Sequence, residues 1–149
     1  HPARKREVGE RLAFLALAND YGVTGLPAPA PVYKSMERDG NKLVLTFDNL
    51  PVRAQNGVDS FVAFGPEGYC RPGGFEIAGE DRVFHPAVAN FKYWDNRIEV
   101  SSDRVPDPVA VRYAFRNYCP EANVMTTMGQ PLVPFRTDDW PLDDIGRIR

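Results

Sequence analysis

No apolar run in the 149 residues approaches the roughly 20 that a membrane-spanning helix requires. Neither sign of charge prevails: 18 Lys and Arg stand against 20 Asp and Glu, a formal net charge of −2. That balance offers nothing to the phosphates of a nucleic acid or to an anionic lipid surface, so neither partner is expected. Cysteine is scarce. Cys70 and Cys119 are the only two, too few to hold a zinc ion by themselves. Either they pair, adding ~4 kcal/mol by the loop-entropy estimate, or they are two buried free thiols. Histidine occurs only as His1 and His85. There is no Gly-rich phosphate loop, no His-Glu-x-x-His and no Cys/His cluster, so no metal and no cofactor are expected. None of Ser35, Ser60, Ser101 and Ser102 sits in a Gly-x-Ser-x-Gly elbow. The chain also lacks an initiator Met and a signal peptide. It begins His1-Pro2 and enters a helical pattern at once, the opening expected of a piece cut from a longer polypeptide.

Breakers are plentiful instead. Twelve Gly and fourteen Pro favour many short elements over a helical bundle, while 43% hydrophobic and 26% charged residues are ordinary for a globular domain. The first segment, Pro2 to Asn19, has the helical repeat. Val8, Leu12, Leu15 and Ala16 form an apolar stripe, Arg4, Lys5, Glu7, Glu10 and Arg11 the solvated side, and Gly22 the stop. A lone helix of this length is marginal, so the stripe needs a partner surface. Leu26-Pro27-Ala28-Pro29-Ala30-Pro31 is then stiff, extended and short of N–H donors.

From Val32 the periodicity changes to two. Leu43, Leu45 and Phe47 share one face of a strand over Lys42–Phe47, paired with Val32–Arg38 through Asp39-Gly40-Asn41. Phe75–Ala78 is a further strand. Val83–Lys92 is another strand region, answered by Arg97–Ser101 across Trp94-Asp95-Asn96, and Val109–Phe115 follows. Asp48–Gly74 reads as an edge strand plus a long loop. The whole predicts a mainly β protein: an antiparallel β-sandwich or jelly-roll-like domain preceded by one N-terminal α-helix.

Two aromatic clusters invite a functional reading. Phe135-Arg136-Thr137-Asp138-Asp139-Trp140 could orient a sugar or a carboxylate. An Arg–Asp bridge with Trp140 packed on the core is the favoured alternative, because adjacent side chains in extended structure point opposite ways. Tyr93 and Trp94, at a hairpin tip, could stack on a sugar or be an ordinary half-buried pair.

Longer blocks carry a resemblance. Gly74-Phe75-Glu76-Ile77-Ala78-Gly79-Glu80-Asp81, Val100-Ser101-Ser102, Pro108-Val109-Ala110-Val111-Arg112-Tyr113-Ala114-Phe115 and Pro134-Phe135-Arg136-Thr137-Asp138-Asp139-Trp140 resemble the C-terminal end of sialate O-acetylesterases. These are the sialic-acid-specific 9-O-acetylesterases and their relatives among carbohydrate acetylesterases. Glu7-Val8-Gly9-Glu10-Arg11-Leu12-Ala13 is similar to the block that begins their last catalytic-domain helix. The resemblance implies an SGNH/GDSL-type serine esterase with a nucleophilic Ser early in its catalytic domain and an Asp-x-x-His-Pro block late in it. His1-Pro2 match that His-Pro, which makes His1 the catalytic base; the Asp and Ser would precede residue 1.

On this reading residues 1–21 are the last helix of the esterase domain, 22–31 a Pro-rich linker and 32–149 the C-terminal β-sandwich. The parent protein would hydrolyse O-acetyl esters on sugars, outside the cytoplasm, and the chain alone would be inactive. Its partners would be the upstream esterase domain and, through the parent, an O-acetylated carbohydrate; the helix could also join two copies as a homodimer. The stretch Phe61–Pro72, with Cys70, is more elaborate than the family's loop. The alternatives are a non-catalytic sugar-binding sandwich that uses Trp94 and Tyr93, and a purely structural accessory domain.

Overall fold

The helical repeat at the start becomes α1, Lys5–Asn19, in a computed structural model that describes residues 5–26, 29–50, 61–92 and 95–141. Eleven strands follow among these residues: β1 (Val32–Asp39), β2 (Lys42–Asp48), β3 (Phe61–Gly65), β4 (Gly68–Tyr69), β5 (Phe75–Ala78), β6 (His85–Pro86), β7 (Val88–Lys92), β8 (Arg97–Ser101), β9 (Ala110–Tyr113), β10 (Val124–Thr126) and β11 (Phe135–Arg136). The described residues are thus mainly β, with one helix ahead of antiparallel sheets, as expected from the sequence.

Period-two alternation explains the first layer. β1 and β2 pair from Val32↔Asp48 to Asp39↔Lys42, and Gly40 takes φ +60° in the turn. β2 then pairs with β8, and β8 with β7, giving the order β1-β2-β8-β7. Its inward residues Leu43, Leu45, Phe47, Ala89, Ile98 and Val100 are buried. A second sheet, β11-β9-β5-β6, contributes Phe75, Ile77, Val111, Tyr113 and Phe135; a third, β10-β3-β4, contributes Phe61 and Val124. Phe47 meets Phe61 edge-on at 5.1 Å and Phe135 at 6.1 Å. The first sheet therefore packs on both of the others around one core. Burying each of these side chains contributes roughly 1.5–3 kcal/mol.

Three expectations need correction. β3 is not an edge strand: it lies between β10 and β4, because β10, which was not foreseen, covers its free side. The stretch Asp48–Gly74 is not one long loop either. Its described part holds the β3–β4 hairpin, and residues 51–60 lie outside the described ones. Val83–Lys92 divides into β6 and β7, which belong to different sheets. His85 pairs with Ile77, Pro86 has no N–H to extend that ladder, and Val88 joins Ser101 instead.

The apolar stripe of α1 faces outward. Val8, Leu12 and Leu15 are 40%, 62% and 38% exposed, and no residue of the helix is buried. The adjoining side is tied to the domain: Arg11 donates to the Gly129 carbonyl at 3.1 Å. After the helix, Gly22 at φ +66° reverses the chain, and the Val23 N–H reaches back to the Leu17 carbonyl at 3.0 Å.

The stretch after β4 runs hard against residues 119–123. A Cβ on Gly73 would stand 2.6 Å from the Glu121 carbonyl oxygen, and one on Gly74, at φ +86°, 2.9 Å from the Ala122 Cα. Both obstacles are backbone and cannot rotate away. Gly74→Ala is expected to lower unfolding free energy by about 2–3 kcal/mol, from the left-handed conformation and the overlap together. Urea denaturation measures this, and an unchanged midpoint would mean the two segments do not meet this closely.

Tyr113 links two of the sheets. It is 2% exposed, and its hydroxyl accepts a hydrogen bond from the Val124 N–H at 3.1 Å. Burial pushes that hydroxyl up to about 12, against the partial opposition of the Val124 bond. A raised value holds the proton more tightly when folded. The stabilisation is complete below the unfolded value of about 10 and is lost as pH climbs toward 12. Melting temperatures should therefore fall more steeply over that window for the wild type than for Tyr113→Phe.

Candidate functional site

The Phe135–Trp140 segment folds inward. β11 sets Arg136 directly opposite Arg112 on β9, a pairing of like charges that would repel. Asp138 resolves it. Its carboxylate takes both arms of the Arg112 guanidinium at 2.8 and 2.7 Å and lies 3.7 Å from Arg136. The Asp138 side chain is fully buried and that of Arg112 only 12% exposed. Phe84 covers the Arg112 guanidinium, its centroid 3.9 Å away, and Arg136 holds the Asp138 and Trp140 carbonyls at 2.6 and 3.0 Å. Trp140 rests against Phe84 at 5.7 Å, with Arg82 over its ring at 5.5 Å.

Burial pushes the Asp138 carboxyl up. The hydrogen bonds and charge of Arg112, then the charge of Arg136, outweigh that and leave it below the usual carboxylate value. Asp139 faces solvent on the other side. The Asp138 carboxylate is buried and taken up by the two arginines, so this cluster holds structure together.

The other candidates are dispersed. His1, Ser60, Tyr93 and Trp94 lie outside the described residues. His85 is half-buried at the sheet edge. The Ser35 hydroxyl shares a 2.5 Å hydrogen bond with Thr46, and the Ser102 hydroxyl donates to the Pro86 carbonyl at 3.1 Å. Among the described residues no serine is hydrogen-bonded to His85, and no three His, Cys, Asp or Glu side chains gather as metal ligands. Both cysteines are free thiols, so the disulfide does not form, and neither is buried: Cys70 is exposed and Cys119 half-buried. Burial pushes the Cys119 thiol up, partly offset by Arg116.

One recess was missed by the sequence reading. It lies between β3, the stretch after β4, and β7, and measures about 380 Å³. Phe61 and Phe91, stacked at 6.0 Å, sit in its lining with Tyr69, Arg71 and Asn90. Tyr69 is 78% exposed and leans on Phe64 at 4.5 Å. The available signal was a large aromatic beyond a Pro-Glu-Gly turn, where no core position is needed.

Comparison with solved structures finds a likeness to part of a protein described as a novel carbohydrate acetylesterase from Xanthomonas citri. The match has 40% sequence identity and a TM-score of 0.78. It covers 94% of this chain and 29% of that one, so this chain spans less than a third of the length of the enzyme it resembles. No family model and no curated protein matches the chain. The chain is thus mainly β and similar in sequence and fold to one portion of a larger carbohydrate acetylesterase.

Proposed function

We propose that this chain is the C-terminal β-domain, with the helix before it, of a carbohydrate O-acetylesterase acting on sialate 9-O-acetyl esters. The carrying observation is the 40% identity over 94% of the chain to part of a carbohydrate acetylesterase. In such an enzyme an upstream domain of the same polypeptide supplies the serine nucleophile and the orienting Asp. His1, outside the described residues, is the base: its imidazole takes the serine proton as the hydroxyl attacks the acetyl carbonyl, then returns a proton to the departing sugar oxygen. A base without nucleophile or acid performs neither step, so the 149 residues alone release no acetate.

The outward stripe of Val8, Leu12 and Leu15 supports the same reading, as a surface for the esterase domain. Without that domain the stripe is an association liability. The isolated chain is expected to dimerise in light scattering, and Val8→Glu/Leu12→Glu to return it to monomer. A wild-type chain that stays monomeric would remove the dimer.

The test of the function compares acetate release from 9-O-acetylated sialic acid by the chain and by its full gene product. Activity in a larger gene product and none in the chain is expected. A native product of 16.7 kDa, or turnover by the chain itself, would overturn the assignment.

A further inference from the structure

We propose that the recess between β3, the stretch after β4, and β7 is a saccharide-binding cleft, with Tyr69 as its stacking platform and Arg71 as its polar arm. The choice of a sugar as ligand rests on the carbohydrate-esterase reading; the existence of a built site rests on geometry alone.

A pyranose presents a flat face of C–H groups and a rim of hydroxyls. A site for it needs an exposed aromatic ring beside polar groups that have no other task. Tyr69 is such a ring: it is 78% exposed, and its tilt against Phe64 fixes its orientation from behind. The stacked pair Phe61 and Phe91 gives the recess an apolar surface. Arg71 and Asn90 stand in the same lining and are exposed. Among the described residues the Arg71 guanidinium and the Asn90 amide make no hydrogen bond or ion pair. Elsewhere in the domain Arg112, Arg116 and Arg136 are all engaged by carboxylates. A free planar fork beside an aromatic ring suits vicinal hydroxyls or a sugar carboxylate.

The wall bearing these groups is held in place although most of it is irregular. Asn123 donates to the Arg71 carbonyl at 3.0 Å and to the Cys70 sulfur at 3.1 Å, and accepts from the Gly73 N–H at 2.8 Å. The Cys70 N–H adds a bond to the Ala63 carbonyl at 3.0 Å. The tight approach of Gly73 and Gly74 to residues 121 and 122 anchors the far end. A loop clamped at three points while its Tyr and Arg project into solvent is pre-organised, which lowers the ordering cost of binding.

The test titrates the 149-residue chain by NMR with xylohexaose, a neutral probe, and with N-acetylneuraminic acid, an acidic one. At least one should bind at millimolar concentration, with shifts confined to residues around Ala63, Tyr69, Arg71 and Asn90. Tyr69→Ala and Arg71→Ala should each weaken that binding tenfold or more, while Tyr21→Ala, which removes an equally exposed ring from another surface, should not. Both substituted side chains of the cleft are exposed, so the variants fold. If only the neutral probe binds, Arg71 serves hydroxyls. Tighter, salt-sensitive binding of the acidic probe assigns Arg71 to the carboxylate. No shift with either probe, or binding indifferent to Tyr69→Ala, overturns the cleft. Neither result depends on acetate release, so cleft and esterase assignment can fail separately.

Discussion

Asp138→Ala is expected to destabilise the domain by about 3–5 kcal/mol in denaturant unfolding, because it strands a buried guanidinium. Arg112 is covered by Phe84 on one face and satisfied along its edge by the two Asp138 oxygens. Removing the carboxylate leaves Arg112 and Arg136 opposite each other without the charge between them. Replacing both partners with apolar residues, as in Arg112→Met/Asp138→Leu, should recover much of the loss, since no orphaned charge remains. A double variant no better than Asp138→Ala would show that the pair does not act as a unit. The same pair sets an acid limit. The Asp138 value is depressed from 3.8, so its stabilisation is present above that value and is lost as pH falls through the lower, folded one. Stability of Asp138→Asn should accordingly fall less steeply below pH 3.8 than that of the wild type.

Phe135→Ala should cost a similar amount, about 3–5 kcal/mol, for a different reason. Phe135 is the ring at which the layers converge. It stacks on Tyr33 at 4.9 Å, meets Phe47 at 6.1 Å and lies 6.0 Å from Tyr113. Those three rings belong to β1, β2 and β9, so neither layer can close over the void without moving the other. Phe135→Leu should restore most of the loss. If Ala and Leu behave alike in thermal melts, the site collapses freely and the three-ring packing is not limiting.

Much of this fold is legible in the residues. The β1–β2 hairpin follows from the alternation of Leu43, Leu45 and Phe47 and from Gly40 between the strands. The strands at Phe75 and Val109 are marked by β-branched and aromatic residues in short runs. β10 and β11 were not foreseen because three and two residues are too few to show any period. Their existence depends on partners distant in sequence, Phe61–Ala63 for one and Arg112–Tyr113 for the other. The helix was found from its repeat, but a repeat states only that a face is apolar, not that anything in the same chain covers it.

The sites were read less well than the fold. At Phe135–Trp140 the favoured Arg–Asp bridge was within reach, since alternation separates Asp138 from Asp139; that Asp138 would serve two arginines required knowing that β11 lies beside β9. The recess escaped notice because Tyr69, Arg71 and Asn90 meet only after β7 has been brought next to the β3–β4 hairpin. No spacing in the sequence encodes that meeting. Trp94, by contrast, has a rationale that the sequence does show, a hairpin tip.

The position of β11 also has a bearing on synthesis. Among the described residues it is the last strand, yet it delivers the ring on which β1, β2 and β9 converge. A growing chain can zip the β1–β2 hairpin early, but β2 must wait for β8, β3 for β10 and β9 for β11. The nascent domain therefore leaves the ribosome with its sheet edges open and its aromatic centre unfilled until residue 135 emerges. Folding of this domain is therefore expected to be late and nearly all at once rather than vectorial, and the interval before it is when exposed strand edges would invite aggregation most.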